Sequence, residues 1–328
     1  MEVLLVKEAE IRHSISIEEA ISAVEDGFTR LADGEVNLPP VMSLDLPEVK
    51  GEVHVKGGYI SGSDGLVIKI ATGFYDNPSL GLPSGTGMMM VFSAQTGFPL
   101  ALLFDNGYLT DLRTAAAGAV AAKYLARNDV GVVGVVGAGA QGRFQILALS
   151  KLRPFQKVLA YDLDRTRLSA YIEEMPQLIG ADFVAAQDVE SLVRTSDILV
   201  TCTPSREPYV RAEWLRPGQH ITAMGADAPY KQELESGVLA RADLLVCDHK
   251  GQCAERGELH HGLEEGTVSE ERKILELGDL TSGRHPGRTD DSQITVCDLT
   301  GVGVQDAAIA TLAYGKVLQA GFGSRLEL

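Results

Sequence analysis

The stretch Val132-Val133-Gly134-Val135-Val136-Gly137-Ala138-Gly139-Ala140-Gln141-Gly142 decides how the rest of the chain is read. An apolar run ends in three glycines spaced G-x-G-x-x-G, and a helical pattern follows from Arg143 through Ser150. A buried strand, a tight turn and a helix start together suit a pyrophosphate. Gly137 permits the turn, Gly139 lets phosphates approach the backbone, and Gly142 lets helix and strand pack closely. The helix N-terminus offers N–H groups and a positive dipole end to the anion. Lys157-Val158-Leu159-Ala160-Tyr161-Asp162 reads as the next strand. Asp162 lies 20 residues past Gly142, the offset of a carboxylate that bonds an adenosine ribose. The competing interpretation is a glycine turn in some other α/β protein, with Asp162 merely solvated.

Toward the C-terminus, strand candidates fall at 131–136, 157–162, 182–186, 197–202, 219–224 and 243–248, with helical stretches between most of them. The alternation predicts a doubly wound α/β domain with a parallel sheet. Ligands of such sheets bind beyond the carboxyl ends of the strands, which is where Asp197–Ser205 and His220–Asp227 end in small or polar residues. Asp227 carries a second interpretation, as the cap of a helix beginning near Lys231. A polar, breaker-rich loop spans Gly283 to Asp291, a strand is expected at Ile294–Asp298, and a final helix at about Gln305–Ala320.

Toward the N-terminus the pattern differs. Residues 3–6 read as a short strand. Ser16 and Glu19 form a capping box ahead of a helical apolar repeat, Ile17, Ala20, Ile21, Val24, Phe28 and Leu31, which Gly34 ends. From Val41 to Asp105, β-rich segments at Glu52–Ile60, Leu66–Ala71, Met88–Ala94 and Leu100–Asp105 predict an antiparallel sheet. Between two of them lies a glycine- and proline-rich loop, Gly73–Ser84, of a length that is often functional. Thr110 is placed to cap a helix running to about Ala126, which puts Arg113 in its first turn. A cation there opposes the dipole and suggests a docking point for carboxylate or phosphate; alternatively its long stem carries the charge to solvent. The expected division is 1–115 plus 305–328 as one α+β domain, with 116–304 inserted as the Rossmann domain.

Composition narrows the partners. The 328 residues hold 45 acidic against 29 basic side chains, a net charge of −16, with no basic stripe. Nucleic acid is thereby disfavoured, and the acid reads as a solvated surface. The segment Met1–Glu8 is too short and acidic for a signal peptide, and no run reaches the roughly 18 apolar residues of a membrane span. Cys202, Cys247, Cys253 and Cys297 form no C-x-x-C pair and read as buried free thiols in a reducing cytoplasm. Adjacent His260 and His261 are expected to diverge on a helix, and no metal site is expected.

Four segments in order resemble the ornithine cyclodeaminase/mu-crystallin family of nicotinamide-dependent enzymes: Leu109–Ala116, Gly137–Gly142, Gly225–Lys231 and Thr300–Asp306. Within it, Phe74–Pro78 and Asp105–Asp111 look most like the branch associated with ectoine and hydroxyectoine breakdown. The resemblance implies a homodimer joined through the β-sheets of its substrate domains, and a C=N bond beside a carboxylate as the reacting group. It implies that Arg113 and Lys69 hold the substrate carboxylate, that Asp227 is the acid/base at the reacting nitrogen with Lys69 sharing catalysis, and that Ser84 and Lys231 stand nearby. NAD would be held by Gly137, Gly139, Ala140, Gln141, Gly142, Asp162 and Arg165, with Thr201, Cys202, Thr203, Thr114 and Gly225 beside it. One departure is visible: many members carry an Arg soon after the prolines that follow the first helix. Pro39–Leu44 has none and Ser43 stands in its place, so either Lys56 compensates or the substrate is held differently, which argues against carrying ornithine over as the substrate. The implied activities are imine reduction or amino acid dehydrogenation, with cyclodeamination and non-catalytic small-molecule binding as the alternatives.

Overall fold

The computed structural model describes residues 2–327. Contacts divide the chain into two units, one reaching to Arg113 and resuming at Val302, the other Thr114–Gly301.

The first unit contains β1 (Glu2–Lys7), α1 (Glu8–Ser14), α2 (Ile17–Ala32), β2 (Val36–Asn37), β3 (Met42–Leu46), β4 (Gly51–Ile60), β5 (Gly65–Phe74), β6 (Gly85–Ser93) and β7 (Pro99–Phe104). Helix α3 (Tyr108–Leu125) starts within it, and α11 (Gly303–Ala320) and β16 (Ser324–Glu327) complete it. The strand order is β16-β1-β7-β6-β5-β4-β2, with β3 also paired to β4. Neighbours from β4 to β7 are antiparallel as expected, but β1 lies parallel to β7, so the sheet is mixed. No hairpin joins those two strands, and the long intervening chain leaves their direction free.

The capping box forms: Glu19 N–H donates to Ser16 Oγ at 3.2 Å and Ser16 N–H to Glu19 Oε2 at 3.0 Å. Helix α2 buries Ala20, Ile21, Val24 and Phe28. The first turn of α11 lies so close to β4 that a side chain at Gly303 would collide with Gly57 O. That approach sets Gln305 and Asp306 into the buried face of the sheet. On β5 the buried positions include Val67 and then Lys69, a cation where the alternation calls for an apolar residue.

Helix α3 corrects one expectation. It begins at Tyr108, two residues before Thr110, and Leu109 N–H donates to Asp105 Oδ2 at 2.8 Å. Arg113 therefore lies beyond the first turn, and the dipole argument for it does not apply.

The second unit contains β8 (Val132–Val136), α4 (Ala140–Leu152), β9 (Lys157–Tyr161), α5 (Arg165–Glu174), β10 (Asp182–Ala185), α6 (Val189–Thr195), β11 (Ile198–Thr201), β12 (His220–Ala223), α7 (Ser236–Arg241), β13 (Leu244–Cys247), α8 (Lys250–Arg256), α9 (Glu258–Glu264), β14 (Leu275–Glu276), α10 (Leu277–Thr281) and β15 (Thr295–Asp298). Its sheet runs β10-β9-β8-β11-β12-β15-β13-β14, parallel at every pairing. The order reverses between β8 and β11, the switch point where such sheets take ligands. The fold is the predicted α/β class with a Rossmann-type parallel sheet. Among the described residues no helix is long and apolar enough to cross a membrane.

Candidate functional site

The glycine loop follows β8 directly. Gly137 has φ +107°, and a side chain there would press on Cys202 O at 2.7 Å. A side chain at Gly142 would collide with Gly137 O, so the first turn of α4 packs against the loop only because that residue is glycine. Around Gly139 an added Cβ meets nothing, which leaves room beside the N-terminus of α4. Ala140 and Gln141 form the first turn of that helix. Thr114 contributes its carbonyl to Gln145 Nε2 at 3.0 Å.

Asp162 ends β9 half-buried. Its Oδ2 accepts Ala138 N–H and its Oδ1 accepts Asp164 N–H, both at 2.8 Å, so the carboxylate is oriented by the glycine loop itself. The nearby cation is Arg167, 3.8 Å from Asp162 Oδ2, while Arg165 lies over the Tyr161 ring. Sequence reasoning singled out Arg165; the residue that faces Asp162 is two positions further on, about half a helical turn away. Thr201 is fully buried. Cys202 Sγ donates to the carbonyls of Val136 and Gly137 at 3.3 Å, so it seals the underside of the loop. Burial holds its thiol well above the usual range.

In the first unit four side chains converge. Lys69 Nζ and Arg113 Nε each lie 3.0 Å from Asp306 Oδ1. Arg113 Nη1 donates to Gln305 Oε1 at 2.8 Å. Lys56, directly opposite Lys69 across β4 and β5, acts on the same carboxylate. All four are buried: Lys69 is 1% exposed, Arg113 5%, Lys56 6% and Asp306 0%. Like charges opposite each other on adjacent strands are unfavourable, so the pair of lysines needs a counter-ion. The cations hold Asp306 below the usual carboxylate range despite its burial. Burial, then the Arg113 charge, pulls Lys69 down to about 7 in spite of Asp306. Burial pushes Asp105 up to about 6.

Sequence reasoning brought out Lys56, Lys69 and Arg113 but assigned nothing to Asp306, Gln305 or Asp105. One signal was available. An acid at 306 amid Val304, Ala307, Ala308, Ile309 and Ala310 marks a charge inside a buried helix face. Ser84 is exposed at the end of the loop after β5, where its carbonyl accepts Phe74 N–H at 2.7 Å. Ser43 lies on β3 with its hydroxyl 3.1 Å from His54 Nδ1.

Asp227 stands beyond β12, and the helix it was expected to cap does not begin near Lys231; the next one starts at Ser236. Its Oδ1 instead accepts from Lys231 Nζ at 2.8 Å, with the lysine buried and the aspartate about one-third exposed. Gly225 N–H donates to the buried Glu233.

The histidine expectation is corrected. The His260 and His261 rings meet edge-on at 5.1 Å, and with Glu264 they group their ligand-type atoms within 4.8 Å. Each ring is nonetheless committed to a carbonyl, His260 Nδ1 to Ala254 O and His261 Nε2 to Lys231 O. The four cysteines are free, three of them buried. A polar cavity of about 330 Å³ lined by Lys123, Arg127, Arg153 and Arg288 surrounds the end of α3. Arg153 and Arg288 donate there to the carbonyls of Lys123 and Leu125, completing the helix C-terminus.

With this geometry established, comparison with known proteins is informative. The model of the ornithine cyclodeaminase/mu-crystallin family matches residues 1–321. An uncharacterized cyclodeaminase of Sinorhizobium fredii is 45% identical over 98% of each chain. The Δ1-pyrroline-2-carboxylate reductase of Thermococcus litoralis, solved with NADH and L-proline, superposes with a TM-score of 0.94 at 31% identity, covering 98% of this chain and 99% of that one. An archaeal alanine dehydrogenase dimer with bound NAD superposes with a TM-score of 0.92 at 35% identity over the whole of both chains. Reductase, dehydrogenase and cyclodeaminase thus share one framework, and the chain belongs to the ornithine cyclodeaminase/mu-crystallin family.

Proposed function

We propose that the protein is an NAD-dependent oxidoreductase acting on the C–N bond of an α-amino acid or the matching α-imino acid. The observation that carries this reading is the concentration of buried positive charge, with Lys69 and Arg113 both on the carboxylate of Asp306 and Lys56 beside them. A substrate carboxylate would pair with it, with Arg113 supplying a planar fork and Lys69 a point charge.

The glycine loop fits a dinucleotide. The space at Gly139 and the N–H groups opening α4 suit a pyrophosphate, and Asp162 suits ribose hydroxyls while repelling a 2′-phosphate. When bound, the nicotinamide supplies or accepts the hydride. The chain's own residues do the rest. Asp227 would take a proton from the amine or lend one to the imine, with Lys231 fixing its orientation. The Thermococcus reductase with NADH and L-proline supports this pairing of cofactor and substrate class. A homodimer is part of the proposal. Met42 and Leu44 on β3, with Leu80 and Leu82 on the loop after β5, are each more than half exposed and suit a protein interface. Assignment to the ectoine-related branch rests on Phe74–Pro78 and Asp105–Asp111 alone.

The test is a panel of cyclic and open-chain α-imino acids, including 1-pyrroline-2-carboxylate, with purified protein and NADH. Loss of nicotinamide absorbance in step with imine consumption supports the reading. Ammonia release from a diamino acid without net cofactor change would reassign the protein as a cyclodeaminase. Cofactor binding without turnover of any member would leave a small-molecule binder.

A further inference from the structure

We infer that Glu233 is a positioning residue: it ties the loop after β11 to the loop after β12 and thereby sets where Asp227 stands. The inference rests on the proposed acid/base role of Asp227.

Glu233 is fully buried, and what surrounds its carboxylate is a set of donors. Oε1 accepts Thr203 N–H at 2.6 Å, Thr203 Oγ1–H at 2.7 Å and Tyr209 Oη–H at 2.6 Å. Oε2 accepts Gly225 N–H at 2.8 Å. Thr203 follows β11 and Gly225 follows β12, which are neighbouring parallel strands. One side chain therefore bridges two strand ends on the ligand-binding edge of the sheet. Asp227 lies two residues beyond the anchored Gly225, and its own N–H returns to Gly225 O at 3.2 Å. Gly225 has no alternative: a side chain there would collide with Thr203 O and the Glu233 carboxyl group.

The clamp is itself held from behind. Glu258, at the start of α9, accepts Glu233 N–H at 2.8 Å and Leu234 N–H at 3.2 Å. Glu233 O accepts from Tyr209 N and Val210 N. Burial raises the proton affinity of Glu233, and its donors act against that. An ionised carboxylate is the one side-chain group of this size that accepts from every side.

Glu233→Gln keeps the shape but turns one acceptor into a donor. Its amide nitrogen must face either Thr203 N–H or Gly225 N–H, so one loop is released. Glu233→Asp keeps the charge but is a methylene too short to span both. Both variants are expected to lower kcat at least tenfold on whichever imino acid the panel selects, measured at saturating NADH because Thr203 and Gly225 also border the proposed cofactor site. Tyr209→Phe removes a donor without touching either backbone anchor and should stay within about twofold in kcat. The deciding measurement is the cycle with Asp227→Asn: adding Glu233→Gln to that variant should change kcat no further. Multiplicative losses, or a Glu233→Gln enzyme at the wild-type kcat, overturn the inference. Asp227→Asn turning over near the wild-type rate would instead overturn the role of Asp227. Should the Glu233 variants fail to fold, hydrogen exchange on the wild-type protein decides. The Thr203 and Gly225 amides must rank among the slowly exchanging ones, and fast exchange at both overturns the clamp.

Discussion

In the first unit Lys69 and Arg113 share the buried carboxylate of Asp306, with Lys56 acting on it too; in the second, three buried carboxylates are held largely by backbone N–H groups and hydroxyls. Glu233 and Glu258 follow the pattern just described. Asp248 accepts the N–H groups of Thr300 and Gly301 at 2.9 and 2.7 Å. The difference is one of purpose. Carboxylates saturated by backbone donors shape loops and have little left for a ligand. Cations gathered on a shared carboxylate are the groups that the proposed function assigns to a ligand's carboxylate.

The largest expected effect separates these roles in catalysis. Asp227→Asn should lower kcat by roughly 10²–10⁴-fold, the usual worth of a general acid or base. Arg113→Ala should act mainly on KM, since it removes a carboxylate anchor, with a secondary loss from misalignment. Steady-state kinetics of both variants beside NADH titration checks the division; a kcat-dominated loss in Arg113→Ala would merge the two roles.

Stability offers the next contrast. Asp306→Asn removes the buried anion that Lys69 and Arg113 share, and should cost about 3–5 kcal/mol in urea unfolding. Glu258→Gln turns one of its two acceptor oxygens into a donor, leaves one backbone N–H unsatisfied and should cost about 1–3 kcal/mol. Equal losses would mean that the first cluster is as self-contained as the second.

A pH dependence follows from Lys69, whose ammonium is brought down to about 7. The protonated form is the one that binds a carboxylate. Affinity for a carboxylate ligand should therefore be full below about pH 7 and weaken above it, by at most tenfold per pH unit. Titration of the best substrate's product across pH 6–9 measures it, and Lys69→Met should flatten the curve. The smallest effect concerns the cofactor. NADH should bind tighter than NADPH by about tenfold, a difference of roughly 1.4 kcal/mol, and Asp162→Ser should narrow the gap. Arg167, 3.8 Å from Asp162, is the residue that would take a 2′-phosphate in that variant.

The second unit was largely legible in the sequence because its determinants are local. A buried parallel strand is a short apolar run, the turn after β8 needs glycines at fixed offsets, and the six proposed strands all formed within a residue of their expected ends. In the first unit's sheet β1 and β4 to β7 were legible, but β2, β3 and β16 were not, nor was the direction of β1, which no turn dictates. The charge cluster of that unit was legible in part. Arg113 stood out through a helix start that proved two residues too late, and Lys69 only through the family resemblance, while Arg113 and its partner Gln305 are 192 positions apart. No spacing rule spans such a gap. Glu233 escaped for another reason: a glutamate in a polar loop looks solvated until the donors around it are seen.

That separation along the chain bears on how the protein is made. The second unit is one continuous segment, Thr114–Gly301, and is complete before Asp306 is synthesised. At 5–20 residues per second, roughly ten to forty seconds pass between the emergence of Arg113 and that of α11. During this interval β4 to β7 exist without the helix that covers them, and Lys69 and Arg113 exist without the anion they share. Burying such cations alone is prohibitive, so the nascent sheet is expected to remain hydrated and loosely closed until Asp306 arrives. A released chain ending at Gly301 should thus display a folded inserted unit beside a protease-sensitive N-terminal segment, and the full chain should display no such cleavage.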